Sequence, residues 1–336
     1  MPSLKSREIR LKSRPAGMPS EVNFELASVD LHAPGPGEVQ VRNLWMSVDP
    51  YMRGRMMDRE SYVPPFQIGQ PLTGHAIGQV VASNAPEFRV GDHVSSMLGW
   101  REQFVSRPQG LLKVDPAKAP LPAYLGVLGM TGLTAYAGLL KIAGLKSGET
   151  VFVSAASGAV GSIVCQIAKA KGATVIGSAG SDEKCAWLKE VAHVDAAINY
   201  KTAGNLTVAL KTAAPKGLDV YFENVGAEHF EAALNLMKPF GRIAVCGMIA
   251  QYNDSRPIPG PANIVLTVPK RLRIEGFIVS DHLELVPAFQ DDMAAWITAG
   301  KIKWHETVLD GIENAPKAFL GLFKGDNFGK MLVKLG

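Results

Sequence analysis

Hydrophobic positions in this 336-residue chain follow two rhythms that change near residue 120. Before that point short apolar runs alternate or are β-branched, as in Val39–Leu44 (VQVRNL) and Ala76–Ala82 (AIGQVVA). Prolines and glycines interrupt them at Pro34–Gly37 and Pro64–Pro65, and Gly91-Asp92 turns into another strand. This spacing predicts an irregular, β-rich region. From Leu125 to Ile142 apolar residues recur at helical spacing, and then strands and helices alternate. The predicted strands are Thr150–Val153, Thr174–Ser178, Ala196–Asn199, Asp219–Glu223 and Arg242–Cys246, with helices near 159–171, 182–191, 205–213 and 228–237. Such alternation predicts an α/β fold with a doubly wound parallel sheet. A further strand is expected over Arg273–Val279, after a proline-rich loop from Arg256 to Pro269. Beyond about residue 300 strand-like pieces return and are expected to rejoin the first region.

One segment adds chemistry to this pattern. Val151–Gly161 (VFVSAASGAVG) runs from a predicted strand through small residues into a helix. In that context Ala156-x-Gly158-x-x-Gly161 reads as a dinucleotide fingerprint whose first glycine is alanine. The turn brings backbone close to a pyrophosphate, whose charge rests on amides at the helix N-terminus. An NAD site places a carboxylate at the end of the second strand, but here that strand runs into Ala179-Gly180-Ser181. Lys184 and Tyr200 lie just beyond and could offer a charge and a hydroxyl to a 2′-phosphate, which points to NADPH/NADP+. A solvated lysine in a helical first turn is the competing reading of Lys184.

Composition narrows the classes. The net charge of +4 is spread along the chain, which argues against a nucleic-acid partner. No apolar run reaches the roughly 18 residues of a membrane span, and Met1–Arg10 has no apolar core of a secretory signal. Cys165, Cys185 and Cys246 make an odd set without paired spacing, so a reducing, cytoplasmic setting is expected. Zinc would need cysteine or histidine ligands; Met46–Asp49 has no cysteine and His75 is followed by Ala76, so no metal is expected.

Several motifs together resemble the zinc-independent medium-chain dehydrogenase/reductases, in the branch of prostaglandin, curcumin and plant double-bond reductases. They are Asp49–Gly54 (DPYMRG), Gly126–Tyr136 (GVLGMTGLTAY), the Ala155–Gly161 loop, Gly180–Lys184 (GSDEK), Ile198–Lys201 (INYK), Tyr221–Gly226 (YFENVG), Cys246–Asn253 (CGMIAQYN) and Phe323–Lys330 (FKGDNFGK). The resemblance implies a GroES-like domain over 1–125, completed by 301–336, and a Rossmann domain over 126–300. It also implies NADPH as hydride donor and a small α,β-unsaturated carbonyl as acceptor. At the family's cofactor positions stand Ser157, Gly158, Ala159, Val160 and Gly161 at the pyrophosphate, and Lys184 and Tyr200 at the 2′-phosphate. Asn224, Cys246, Gly247, Met248, Tyr252, Phe277, Ile278, Val279 and Asn327 would line the rest. Thr131 departs from the family, where proline is frequent.

Conjugate reduction needs a donor where negative charge forms on the carbonyl oxygen. Tyr252, just past the strand ending at Cys246, is the candidate. Tyr51 and Met130 are candidates for the substrate pocket, with packing as the alternative for Tyr51. Arg53 could anchor an acidic substrate or pair with Asp49, the structural role being preferred, and Met46, Met56 and Met57 are either core or pocket. A quinone reductase is the competing enzyme, and a non-catalytic NADPH-binding protein is the reading from another class. Pairing of the Ile274–Val279 strand across a twofold axis would give a homodimer.

Overall fold

The computed structural model describes residues 4–256 and 258–336. By contacts the chain falls into two units: one runs to Gly126 and includes Glu306–Asn327 and Met331–Gly336, and the other is Val127–His305 with Phe328–Lys330. In the first unit β1 (Leu4–Leu11) pairs antiparallel with β2 (Phe24–Leu31). Then come β3 (Val39–Ser47), a single helical turn α1 (Met52–Arg55), β4 (Ala76–Ser83), β5 (His93–Ser96), β6 (Gln103–Ser106) and β7 (Leu112–Val114). Alternation decides which side of β3 is wet: Val39 and Val41 are fully buried and Arg42 is exposed.

The second unit opens with α2 (Met130–Tyr136), which continues as a π-helical turn over Ala137–Ile142. There follow β8 (Thr150–Val153), α3 (Gly161–Ala170), β9 (Thr174–Ala179), α4 (Asp182–Glu190), β10 (Ala196–Asn199), α5 (Leu206–Ala213), β11 (Leu218–Glu223), α6 (Ala227–Leu236) and β12 (Met237–Val245). After these come α7 (Thr267–Lys270), β13 (Arg273–Gly276) and α8 (Val286–Thr298). The strands form one parallel sheet in the order β10-β9-β8-β11-β12-β13. Strands buried on both faces read as unbroken apolar runs, and Val151, Phe152 and Val153 of β8 are all fully buried. The order reverses between β8 and β11, so ligand-binding residues are expected at the carboxyl ends of these two strands.

The chain then returns to the first unit with β14 (Glu306–Asp310), α9 (Ala315–Lys324) and β15 (Lys330–Lys334), completing a sheet in the order β14-β15-β3-β4-β5-β7. Together the units are a GroES-like β-rich domain and a Rossmann domain.

Four expectations need correction. The strand expected over Arg273–Val279 stops at Gly276, because its neighbour β12 ends at Val245, the register partner of Gly276. The C-terminal region carries a full helix, α9, with Pro316 in its first turn and left-handed Gly325 as its C-cap. The helical pattern from Leu125 is broken: a 3-10 turn covers Leu121–Leu125 and α2 starts only at Met130. The proline-rich stretch contains a 3-10 turn over Ile264–Leu266 and α7, while its Pro257 lies outside the described residues.

Candidate dinucleotide site

The turn after β8 is held by its own backbone. Ala155 adopts φ +47°, which lets the Ala156 amide donate to Ser178 (2.8 Å) and the Gly158 amide return to Ala155 (2.9 Å). A Cβ on Gly161 would lie 2.3 Å from the Ala155 carbonyl oxygen, so only glycine lets α3 start this close to the loop. At Gly158 the nearest atom would be 3.2 Å away, so that glycine is not demanded by packing. No side chain caps α3, and the amides of Val160 and Gly161 find no backbone acceptor among the described residues. Such an N-terminus is suited to an anion.

At the end of β9, Ser181 caps α4 by accepting from the Lys184 amide (3.3 Å). The one acid nearest this strand end, Asp182, accepts from the Asn199 side chain at 2.7 Å. The Tyr200 phenol comes so close to Gly180 that a Cβ there would be 2.9 Å from its oxygen. Its ring stands edge-on to His229, with centroids 5.0 Å apart. His229 is 4% exposed, and burial pushes its imidazole down to about 4, so it is neutral at pH 7.

The ends of β11 and β12 meet around a buried carboxyl. Glu223 Oε1 accepts from the Ser154 hydroxyl (3.0 Å) and from the amides of Val225 (2.5 Å) and Gly226 (2.9 Å). Burial pushes this carboxyl above its usual range, against the pull of those amides. Asn224 is fixed on Ser154 through both its amide (2.9 Å) and its side chain (2.8 Å). Cys246 and Gly247 donate their amides to the Glu223 carbonyl, and burial pushes the Cys246 thiol up to about 12, away from nucleophilic character. Met248 donates its amide to the Tyr252 hydroxyl at 3.3 Å, and a Cβ on Gly247 would be 2.7 Å from that oxygen. The structure thus brings Asn224, Cys246, Gly247, Met248 and Tyr252 together.

Other predicted residues are placed differently. The ring of Phe277 packs on Gly138, where a Cβ would come within 2.4 Å, and on Phe222. Ile278 follows the end of β13, and Val279 begins a 3-10 turn rather than ending a strand. Met130 starts α2, and Thr131 sits buried in its first turn, a position that also accommodates proline. In the first unit Tyr51 packs against the core, and burial pushes its phenol above the usual range, with Asp49 and Arg55 beside it. Arg53 is buried and donates to the Gly17 carbonyl (2.7 Å); Asp49 accepts from the Ser47 hydroxyl. Met46 and Met56 are fully buried core. Asn327 closes the segment that follows α9. Among the described residues no three His, Cys, Asp or Glu are grouped to hold a metal ion. A cavity of about 390 Å³, lined in part by Asp182, Cys185, Lys189 and Asn199, includes none of the predicted cofactor residues.

Three contributors escaped the sequence. Ser154 and Glu223 form the frame that orients Asn224, and Gly329 donates its amide to the Ser157 carbonyl at 2.9 Å. Only Glu223 left a signal, an acid closing a strand whose preceding residues, Val220–Phe222, are apolar.

A parallel sheet with a glycine-bearing turn at its switch point defines a dinucleotide-dependent oxidoreductase. Two family descriptions match the chain: "N-terminal domain of oxidoreductase" over residues 7–114 and "Zinc-binding dehydrogenase" over 159–298. The chain is 46% identical over 333 residues to a 2-alkenal reductase (NADP(+)-dependent) of Nicotiana tabacum, covering 98% of this chain and 97% of that protein. It is 42% identical over 336 residues to the NADPH-dependent curcumin reductase of Escherichia coli (strain K12), again with 98% and 97% covered. The crystal structure of CurA from Vibrio vulnificus in complex with NADPH superposes with a TM-score of 0.93 at 42% identity, covering 98% of this chain and 99% of that one. The chain belongs to the medium-chain dehydrogenase/reductase family, in the branch of double-bond reductases.

Proposed function

We propose that the chain is an NADPH-dependent reductase of the C=C bond of α,β-unsaturated aldehydes and ketones. Identity of 46% and 42% along its whole length to a 2-alkenal reductase and a curcumin reductase carries the reading. The tight Gly161 contact, the uncapped start of α3 and the Asp182 carboxylate engaged by Asn199 fit a phosphorylated dinucleotide. When bound, NADPH supplies the hydride that reaches the substrate's β-carbon.

The chain's residues bind and orient. Ser157, Gly158, Ala159, Val160 and Gly161 hold the pyrophosphate, and Lys184 and Tyr200 the 2′-phosphate. Asn224, Cys246, Gly247, Met248, Tyr252, Phe277, Ile278, Val279 and Asn327 line the remainder. Tyr252 donates a hydrogen bond to the carbonyl oxygen as negative charge develops there. Tyr51 and Met130 serve the substrate side, and the α-carbon takes its proton from solvent.

The test is NADPH oxidation with an enal, an enone and a quinone, for the wild type and Tyr252→Phe. Turnover of the enal and enone, lowered about 10²-fold in the variant, is expected from the loss of one such donor. Quinone reduction alone overturns the substrate class, and full activity of the variant removes Tyr252 from the reaction.

The outer edge of β13 has no strand partner among the described residues, and Val265 and Val268 in the turn and helix before it are exposed. Both support a homodimer paired through that edge; a monomer by light scattering contradicts it. Three free cysteines support a cytoplasmic setting, and among the described residues no helix is long and apolar enough to cross a membrane. The division by contacts supports the two domains read over 1–125 with 301–336 and over 126–300.

A further inference from the structure

A short segment from the end of the chain, Phe328–Lys330, belongs to the second unit and docks on its dinucleotide turn. Gly329 forms a parallel bridge with Gly158 and donates its amide to the Ser157 carbonyl at 2.9 Å. On its other side Lys330 donates to the His305 carbonyl (2.9 Å), and a Cβ on Gly329 would lie 1.9 Å from that oxygen. Gly329 also has φ +64°, so the pinch between turn and His305 requires glycine twice over. Phe328 stacks on His305, with centroids 4.4 Å apart, and meets Trp187 edge-to-face at 5.3 Å.

Trp187 lies on α4 three residues beyond Lys184, so the two share one side of that helix. One segment therefore touches both the turn read as the pyrophosphate site and the helix that carries the candidate 2′-phosphate lysine. In a phosphorylated dinucleotide the two phosphate groups are joined through one ribose at fixed spacing. A protein that uses both must hold turn and helix in register, and a point charge such as Lys184 is useful only at a defined distance.

We propose that Phe328, through Trp187, is a positioning residue that sets preference for NADPH over NADH by locking α4 to the turn that Gly329 clamps. The inference rests on the reading of Lys184 given above. A ligand that uses both sites loses more from loosening than one that uses the turn alone.

The test is cofactor binding by fluorescence titration and calorimetry for Phe328→Ala, Trp187→Ala, the double variant, Phe328→Tyr and Lys184→Ala. Loss of one aromatic pair corresponds to about five-fold in affinity. Phe328→Ala and Trp187→Ala are each expected to weaken NADPH about five-fold and NADH less than two-fold. The double variant should be no worse than either single change, and Phe328→Tyr should keep the wild-type ratio. Equal loss for both cofactors, no loss, or additive losses in the double variant overturns the proposal. Should Phe328→Ala not fold, Trp187→Ala and Phe328→Tyr carry the same test. If Lys184→Ala leaves the NADPH/NADH ratio unchanged, the underlying 2′-phosphate reading fails instead, which separates the two failures.

Discussion

Replacing each of the two glycines of the dinucleotide turn with alanine should separate packing from ligand approach. At Gly161 the added Cβ meets the Ala155 carbonyl oxygen at 2.3 Å, the Ala156 Cα at 2.9 Å and the Ala155 carbonyl carbon at 3.0 Å. All three are backbone atoms, so none can swing aside. Overpacking of this kind costs about 1–3 kcal/mol, and the unliganded Gly161→Ala protein should melt roughly 2–4 °C lower. At Gly158 the Cβ meets one atom, at 3.2 Å, a strain relieved by a shift of a few tenths of an ångström. Unliganded Gly158→Ala should therefore melt within about 1 °C of wild type. Its methyl group instead stands where the backbone is read to approach the pyrophosphate. A ligand at 100 times its Kd stabilises by about 2.7 kcal/mol, and the same concentration at a ten-fold weaker Kd gives about 1.4 kcal/mol. Thermal melts with and without NADPH should thus show the ligand-induced shift of Gly158→Ala at roughly half the wild-type value. Equal destabilisation of the two unliganded variants, or a full NADPH shift in Gly158→Ala, refutes the division of labour.

Lys184→Ala should weaken NADPH by about ten-fold or more while leaving NADH within two-fold, as expected for one lost charge-assisted contact to phosphate; equal losses in titrations of both cofactors contradict its place. His229 is held at about 4, below the usual 6.5, so the unfolded chain binds a proton there that the folded chain does not. Stability from this group is complete above pH 6.5 and falls as pH drops toward 4, by about 2–3 kcal/mol at pH 4.5. Glu223, pushed upward by burial, acts with the opposite sign, so the comparison must be with His229→Phe, which keeps a ring under Tyr200. Urea unfolding at pH 7 and pH 4.5 should show the larger loss in wild type, and equal losses rule the effect out.

What was legible in the chain was what is local. The strands β8, β9 and β11 announce themselves because burial on both faces leaves apolar runs between helices of ordinary length. The turn at Ala155–Gly161 was readable because a strand must precede it and a helix follow. Helix α9 is marked by Pro316, Gly325 and the apolar spacing of Ala315, Ala318, Phe319 and Leu322, but it lies between the short strands β14 and β15, whose apolar residues give the region its strand-like pattern. In the sequence Phe277 continues a strand pattern, yet its ring fills the notch left by Gly138, a partner on the π-helical turn far away in sequence. The clamp of Gly329 on Ser157 could not be read for the same reason. A single hydrogen bond between distant loops leaves no periodicity, and the positive φ of Gly329 is visible only once His305 lies beside it.

The most direct measurement follows the hydride itself. NADPH carrying deuterium at the transferable C4 position is mixed with the protein and a simple enone, and the product is examined by NMR. One deuterium at the β-carbon of a saturated ketone is the predicted result. Deuterium on the carbinol carbon of an unsaturated alcohol, or no transfer to the enone at all, contradicts the account.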